Sequence, residues 1–176
     1  EPFEVPMQTI IHGDDRQSLY KNSVMYFDRS VSDFMNKIST QKYYSNTVFV
    51  FISDHGFRVG DASNRDKRRY HIPFFIYGVP LKDKWVGKKI AKVGSQSDMA
   101  KTILNQFNFN SDSFQFSNDI FINRYSYAQY TFSHGFGLVS DKQSIIFDYN
   151  TKDIQFSNEN SDDNSNEIFF NIGRAY

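Results

Sequence analysis

An aspartate, a histidine and a glycine stand in line at Asp54-His55-Gly56, directly after the apolar run Thr47–Ser53. Adjacent Asp and His side chains offer a hard oxygen and an imidazole nitrogen, a donor pair suited to one divalent cation. A glycine behind them lets the backbone turn away sharply. The run before them has no polar alternation. It predicts a strand covered on both faces, as in the middle of a parallel sheet. Ligands in open α/β sheets collect at the carboxyl ends of such strands. A second reading stays open on these residues alone: Asp54 caps the next turn and His55 packs beside it.

Five other groups carry chemistry-bearing side chains. His71 precedes a second apolar run, Ile72–Tyr77, where it either reaches an anion or metal or serves as a hydrogen-bonded structural residue. His12 stands near Asp14 and Asp15, a metal cluster in miniature, but turns are commonly built of such residues. His134 sits in a glycine-rich turn and reads as part of a hairpin. Arg65, Lys67, Arg68 and Arg69 form a basic run beside Asp61 and Asp66. Such a run either steers an anionic substrate or is a solvated loop. The acidic, Asn/Ser-rich tract at 157–167 lacks the spacing of a calcium loop and predicts a mobile loop.

The elements that must position these residues follow from periodicity. Val24, Phe27, Val31, Phe34, Met35 and Ile38 recur at spacings of three and four, predicting a helix over 18–38 with its aromatic stripe packed in a core. Ser95–Phe107 predicts a second helix, with Ser95 as N-cap and Asp98 three positions on. The lysine-rich stretch 82–92 around Trp85 reads as an exposed hairpin or loop. Beyond residue 110 the pattern changes to short strands at 127–132, 136–140 and 144–149, with Ile154–Phe156 continuing the meander.

Composition excludes several classes. The 176 residues suit one domain or slightly more. Twenty Lys and Arg balance twenty Asp and Glu, so the chain lacks the basic surplus of a non-specific nucleic-acid binder. No cysteine is present, which removes disulfides, thiolate metal sites and a Cys nucleophile within the chain. The longest aliphatic-aromatic run, Val48–Ile52, falls far short of the roughly 20 residues of a membrane helix. The chain opens on Glu1-Pro2-Phe3 without an initiator Met and reads as a piece of something longer.

Five stretches in one order resemble the sulfatase branch of the alkaline phosphatase superfamily, especially the bacterial lipoteichoic-acid-synthase-like sulfatases. Asn46-Thr47 with the apolar strand and Asp54-His55-Gly56 resembles the family's "NT, strand, DHG" element. Glu1–Pro6 resembles its "H-x-P-F" segment. Asn22–Phe34, His71–Gly78 and Ser95–Leu104 resemble, respectively, its "NSv-Y-Drsl-F" helix, its "hvPlii-G" strand and its "SqiDlapTLL" helix. Lys101 stands where the family's helix segment usually has proline. The likeness covers about residues 1–110 and is weaker from Phe116 onward, although Phe132–Gly137 suits the small C-terminal sheet of these proteins.

The resemblance implies an α/β fold: the C-terminal part of an alkaline-phosphatase-like sandwich, with a mostly parallel sheet flanked by helices (1–110) and a small antiparallel subdomain (111–176). It implies a metal-dependent enzyme that hydrolyses or transfers sulfate or phosphate esters through a covalent intermediate. Asp54 and His55 match the late pair of metal ligands, and His71 is a candidate for substrate binding. The nucleophile, the early acidic ligand and the His of the "H-x-P-F" segment belong to the part that precedes Glu1. One divalent cation (Mn²⁺, Zn²⁺, Mg²⁺ or Ca²⁺) would thus be shared with ligands outside this chain, which by itself is expected to be inactive. The expected partners are the missing N-terminal half, an anionic ester substrate, and a second copy through exposed apolar surface. The expected location is extracytoplasmic, with a membrane anchor in the missing region. A non-catalytic binding module on the same fold is the alternative.

Overall fold

Asp15 starts the first helix. Its carboxylate accepts hydrogen bonds from the Gln17 and Ser18 amides at 3.0 and 3.1 Å, satisfying donors that have no partner within the helix. Helix α1 then runs over Arg16–Ile38. Asn22, buried on α1, binds the Ile11 backbone in both directions, donating at 2.8 Å and accepting at 3.2 Å. The computed structural model describes residues 4–58, 60–122, 126–156 and 163–175.

The expected packing of the α1 stripe is not what the structure shows. Ile38 is buried, but Phe27 is 62% exposed and Val24 and Phe34 are also exposed. Helical spacing reports that one face is apolar; it does not report what covers that face. Phe34 alone of these rings has a described aromatic neighbour, edge-on to Phe49 at 6.3 Å.

Strand β1 (Phe49–Ile52) pairs with β2 (Phe74–Tyr77). The pairing is antiparallel, with Phe49 opposite Tyr77 and Ile52 opposite Phe74. The mostly parallel sheet is not seen in this part of the fold: no parallel pair occurs among the described residues. A continuous apolar run signals coverage on both faces, which says nothing of the direction of the strand alongside. The mixed α/β class itself stands. Phe51 stacks on Phe75 across the pair at 4.7 Å, the kind of cross-strand contact that stabilises a ladder.

The chain forms two units. The first extends to Ser53 and includes Pro73–Leu81; the second holds Asp54–Arg58, Ala62–Ile72 and the chain from Lys82 onward. In the second unit, a 3-10 turn at Gln96–Asp98 leads into α2, Met99–Gln106. The predicted cap is present: Asp98 accepts from the Ser95 amide at 2.8 Å and completes a capping box with the Ser95 side chain.

A polar seam fastens α2 to residues 111–121. Thr102, 1% exposed, accepts from the Ile120 amide at 3.0 Å and donates to the Asn118 carbonyl. Buried Asp98 accepts from the Asn118 amide at 2.8 Å. The Ser117 hydroxyl accepts from the Lys101 amide, and Asp119 accepts from the Asn105 side chain. Buried polar groups persist only when paired in this way.

The predicted meander follows: β3 (Tyr127–Phe132), β4 (Gly135–Ser140), β5 (Ser144–Asp148) and β6 (Ile154–Phe156), antiparallel in chain order. Its core is Phe136, Leu138 and Ile145, closed by Phe169 from helix α3, Asp163–Ala175. Burying each such side chain is worth about 1.5–3 kcal/mol. Gly173 permits that closure, because a Cβ there would lie 2.4 Å from the Phe136 ring. The loop expected at 157–167 is therefore helical from Asp163, since the apolar face beyond it docks on the sheet and carries the polar first turn with it. Residues 157–162 lie outside the described residues.

Candidate functional site

Asp54 and His55 begin the turn that leaves β1. The Asp54 Oδ1 accepts the His55 backbone N–H at 2.9 Å, and His55 Nδ1 lies 2.9 Å from the Gly56 carbonyl oxygen. A carbonyl only accepts, so Nδ1 carries the proton and donates. The ring lone pair is then on Nε2 in the neutral form. Nε2 stands 3.9 Å from Asp54 Oδ1. Two donors that each sit about 2.1 Å from one cation are separated by at most about 4.2 Å. The pair thus has the spacing of two ligands on one ion, and both side chains are exposed to receive it.

The turn is held from two sides. Gln96, at the entry to α2, donates to the Asp54 carbonyl at 3.5 Å. Gly56 lies against the backbone of Arg69 and Tyr70: a Cβ built on it would stand 2.0 Å from the Arg69 carbonyl oxygen. The glycine is needed here for close approach, because no side chain fits. The contact makes Gly56 a backbone neighbour of Arg69 and Tyr70, and His71, next in the chain, is exposed. Neither bracing contact was anticipated from the residues, although Gln96 lies within the Ser95–Leu104 stretch that carries the family resemblance.

The basic run does not act as one patch. Arg65 binds the Asp148 carboxylate at the end of β5 and also lies 5.8 Å from the centre of the Phe132 ring. Arg68 turns back onto Asp66, with Nε 2.8 Å from Oδ2. Asp66 also caps the turn at Lys67–Arg69, and the Arg68 side chain and amide hold its carboxyl below the usual range. These cations organise the loop facing Gly56. Tyr130 completes the anchor by donating to the Arg65 carbonyl at 2.7 Å and stacking on Tyr70 at 4.4 Å. Burial, then the nearby Tyr70 and Asp66, push its hydroxyl up to about 12, so it remains a donor at neutral pH.

The remaining histidines stay apart from this site in role. His12 is exposed, and Asp15 beside it serves as the cap of α1. His134 is exposed in the β3–β4 turn, and its carbonyl accepts the Tyr149 amide at 2.7 Å. No cluster of three or more His, Asp or Glu suited to a metal occurs among the described residues. Asp54 and His55 supply two donors, fewer than the roughly three protein ligands that a catalytic zinc site usually takes.

A family model for sulfatases matches residues 8–109, more than half of the chain. The chain belongs to the sulfatase family. An arylsulfatase of Clostridium perfringens (strain 13 / Type A) is 33% identical over 95 residues, which cover 50% of this chain and 20% of that protein. A crystal structure of an alkaline phosphatase superfamily protein from Vibrio parahaemolyticus superposes with a TM-score of 0.72. That match covers 96% of this chain and 43% of the other at 20% identity, a likeness of fold. The sulfatase match takes in the Asp54-His55-Gly56 turn, His71 and the Ser95–Leu104 stretch. The chain spans about a fifth of the curated relative and less than half of the structural one.

Proposed function

We propose that this chain is the late metal-ligand portion of a metal-dependent sulfuric ester hydrolase, with Asp54 Oδ1 and His55 Nε2 as two ligands of one divalent cation. The 3.9 Å separation of those atoms, with the His55 tautomer set by Gly56, carries the reading. Membership of the sulfatase family supports sulfate esters over phosphate esters as substrates. When bound, the cation would withdraw charge from the transferring oxyanion. The chain's own residues orient the site: Gly56 fixes the imidazole through its carbonyl and Gln96 braces the Asp54 carbonyl; in this reading His71 is the candidate to meet the anionic ester.

Catalytic zinc sites take about three protein ligands, so two cannot make a tight centre. The isolated chain is accordingly inactive, and the remaining ligands and the nucleophile come from the rest of the parent protein. The exposed rings of α1 and of β2, where Phe75 is 51% exposed, are the surface on which that remainder packs. Exposed rings in such number are a candidate interaction face.

The test uses the parent protein at its natural length with 4-nitrophenyl sulfate and 4-nitrophenyl phosphate. Chelation should abolish hydrolysis of the sulfate, and one of Mn²⁺, Zn²⁺, Mg²⁺ or Ca²⁺ should restore it. Asp54→Ala and His55→Ala should each lower kcat/KM by more than about 100-fold, since losing even an outer partner of a ligand costs about 10–100-fold. Calorimetry should show cation binding lost in the double variant. Unchanged cation binding there would overturn the assignment and favour a non-catalytic module.

A further inference from the structure

Two tyrosines from distant parts of the chain grip the loop that bears on Gly56. The Tyr70 and Tyr130 rings are stacked, with centres 4.4 Å apart. Their hydroxyls donate to consecutive carbonyls of that loop, Tyr70 to Asn64 and Tyr130 to Arg65, each at 2.7 Å. Gly137 stands opposite Tyr130 across β3 and β4, and a Cβ there would lie 2.0 Å from the Tyr130 ring. A glycine inside a strand marks such a close approach, and here it leaves the ring room to lie across the strand.

The loop passes this grip on to the site. Asp66 caps its turn, Lys67–Arg69, and the Tyr70 amide closes it on the Lys67 carbonyl. A shift at Asn64 and Arg65 is therefore felt at Arg69 and Tyr70, the backbone on which Gly56 rests. The Gly56 carbonyl in turn takes the His55 Nδ1 proton at 2.9 Å. The hydrogen bond made by one ring nitrogen decides which nitrogen is left to ligate. All of these residues lie in the second unit.

We propose that Tyr130, on β3 and outside the sulfatase match, is a positioning residue for His55. It holds the 64–70 loop against Gly56 and so keeps the imidazole proton on Nδ1 and the lone pair on Nε2. The consequence for a cation rests on the metal-ligand reading above; the consequence for the tautomer does not.

The experiment uses the parent protein at its natural length. Tyr130→Phe keeps the ring stack and loses the hydroxyl, and Tyr130→Ala loses both. Ile145→Val is the control, since it loosens the meander core where Ile145 packs with Phe136 and Leu138. Histidine ¹⁵N shifts of the cation-free protein at pH 8, assigned with His55→Gln, read the tautomer. The Nδ1–H share at His55 should fall from wild type through Tyr130→Phe to Tyr130→Ala and stay unchanged in Ile145→Val. Calorimetric affinity for the activating cation should fall about tenfold in Tyr130→Ala, the lower end of the loss seen for outer partners of a ligand. The kcat for 4-nitrophenyl sulfate should return to the wild-type value at saturating cation. If Tyr130→Ala does not fold, Tyr130→Phe carries the same comparison. An unchanged His55 tautomer in the Tyr130 variants, an equal shift in Ile145→Val, or a shifted tautomer with unchanged affinity in a parent that binds a cation overturns the proposal. A shifted tautomer in a parent that binds no cation upholds the role of Tyr130 and overturns the metal-ligand reading instead.

Discussion

The Arg65 guanidinium is bound to the Asp148 carboxylate, joining residues 83 positions apart. One end of this pair lies in the loop that faces Gly56 and the other at the close of β5. The Asn150 amide is the main influence holding the Asp148 carboxyl below its ordinary 3.8, and the Thr151 amide, Arg65 and His134 add to it. A carboxyl depressed in the folded state stabilises the fold above its unfolded pKa. That stability is lost as pH falls through the lower folded value. Thermal midpoints should therefore drop as pH goes from about 5 toward 3. Asp148→Asn should lower the midpoint at pH 7 by about 2–8 °C and flatten the acid slope. Asp15 and Asp66, shifted the same way, leave a residual slope. An acid profile identical to wild type would show that the pair contributes nothing.

Gly56→Ala should damage the site without touching a ligand. The new methyl would meet the Arg69 carbonyl, which is backbone and can move only with its loop. Overpacking of this sort costs about 1–3 kcal/mol. Calorimetric cation affinity of the parent protein should fall at least tenfold while the variant still folds, as judged by circular dichroism.

The seam beside α2 predicts a different loss. Thr102→Val keeps the volume and removes the hydroxyl, leaving the Ile120 amide without its acceptor. The expected destabilisation is about 1–3 kcal/mol, read as a lower urea midpoint. Thr102→Ser should recover most of it, since the hydroxyl returns.

Exposed rings on α1 and β2 predict association. The 176-residue chain should sediment above its monomer mass, or pair with the rest of its parent when the two are mixed. Phe27→Asp/Phe75→Asp removes two rings, each worth about 1.5–3 kcal/mol when buried, and should weaken association more than tenfold. A monodisperse monomer in the unsubstituted chain at micromolar concentration would refute the apolar face as an interface.

Local pattern alone determined a good deal here. The spacing of Val24 to Ile38 marked α1, Ser95 and Asp98 marked the start of α2, and the alternation after Tyr127 marked the meander. Each is written within one or two turns or a single hairpin, where neighbours in sequence are neighbours in space. Asp54-His55-Gly56 was legible for the same reason: adjacent residues carry both donors. Only the tertiary structure decided that β1 pairs antiparallel, that the α1 rings stand exposed, and that 163–167 join a helix. It alone placed Gly56 against Arg69, Arg65 on Asp148, and the Thr102 hydroxyl on the Ile120 amide. Those contacts join groups from 13 to 83 positions apart. No periodicity records them, because they depend on where whole elements come to rest.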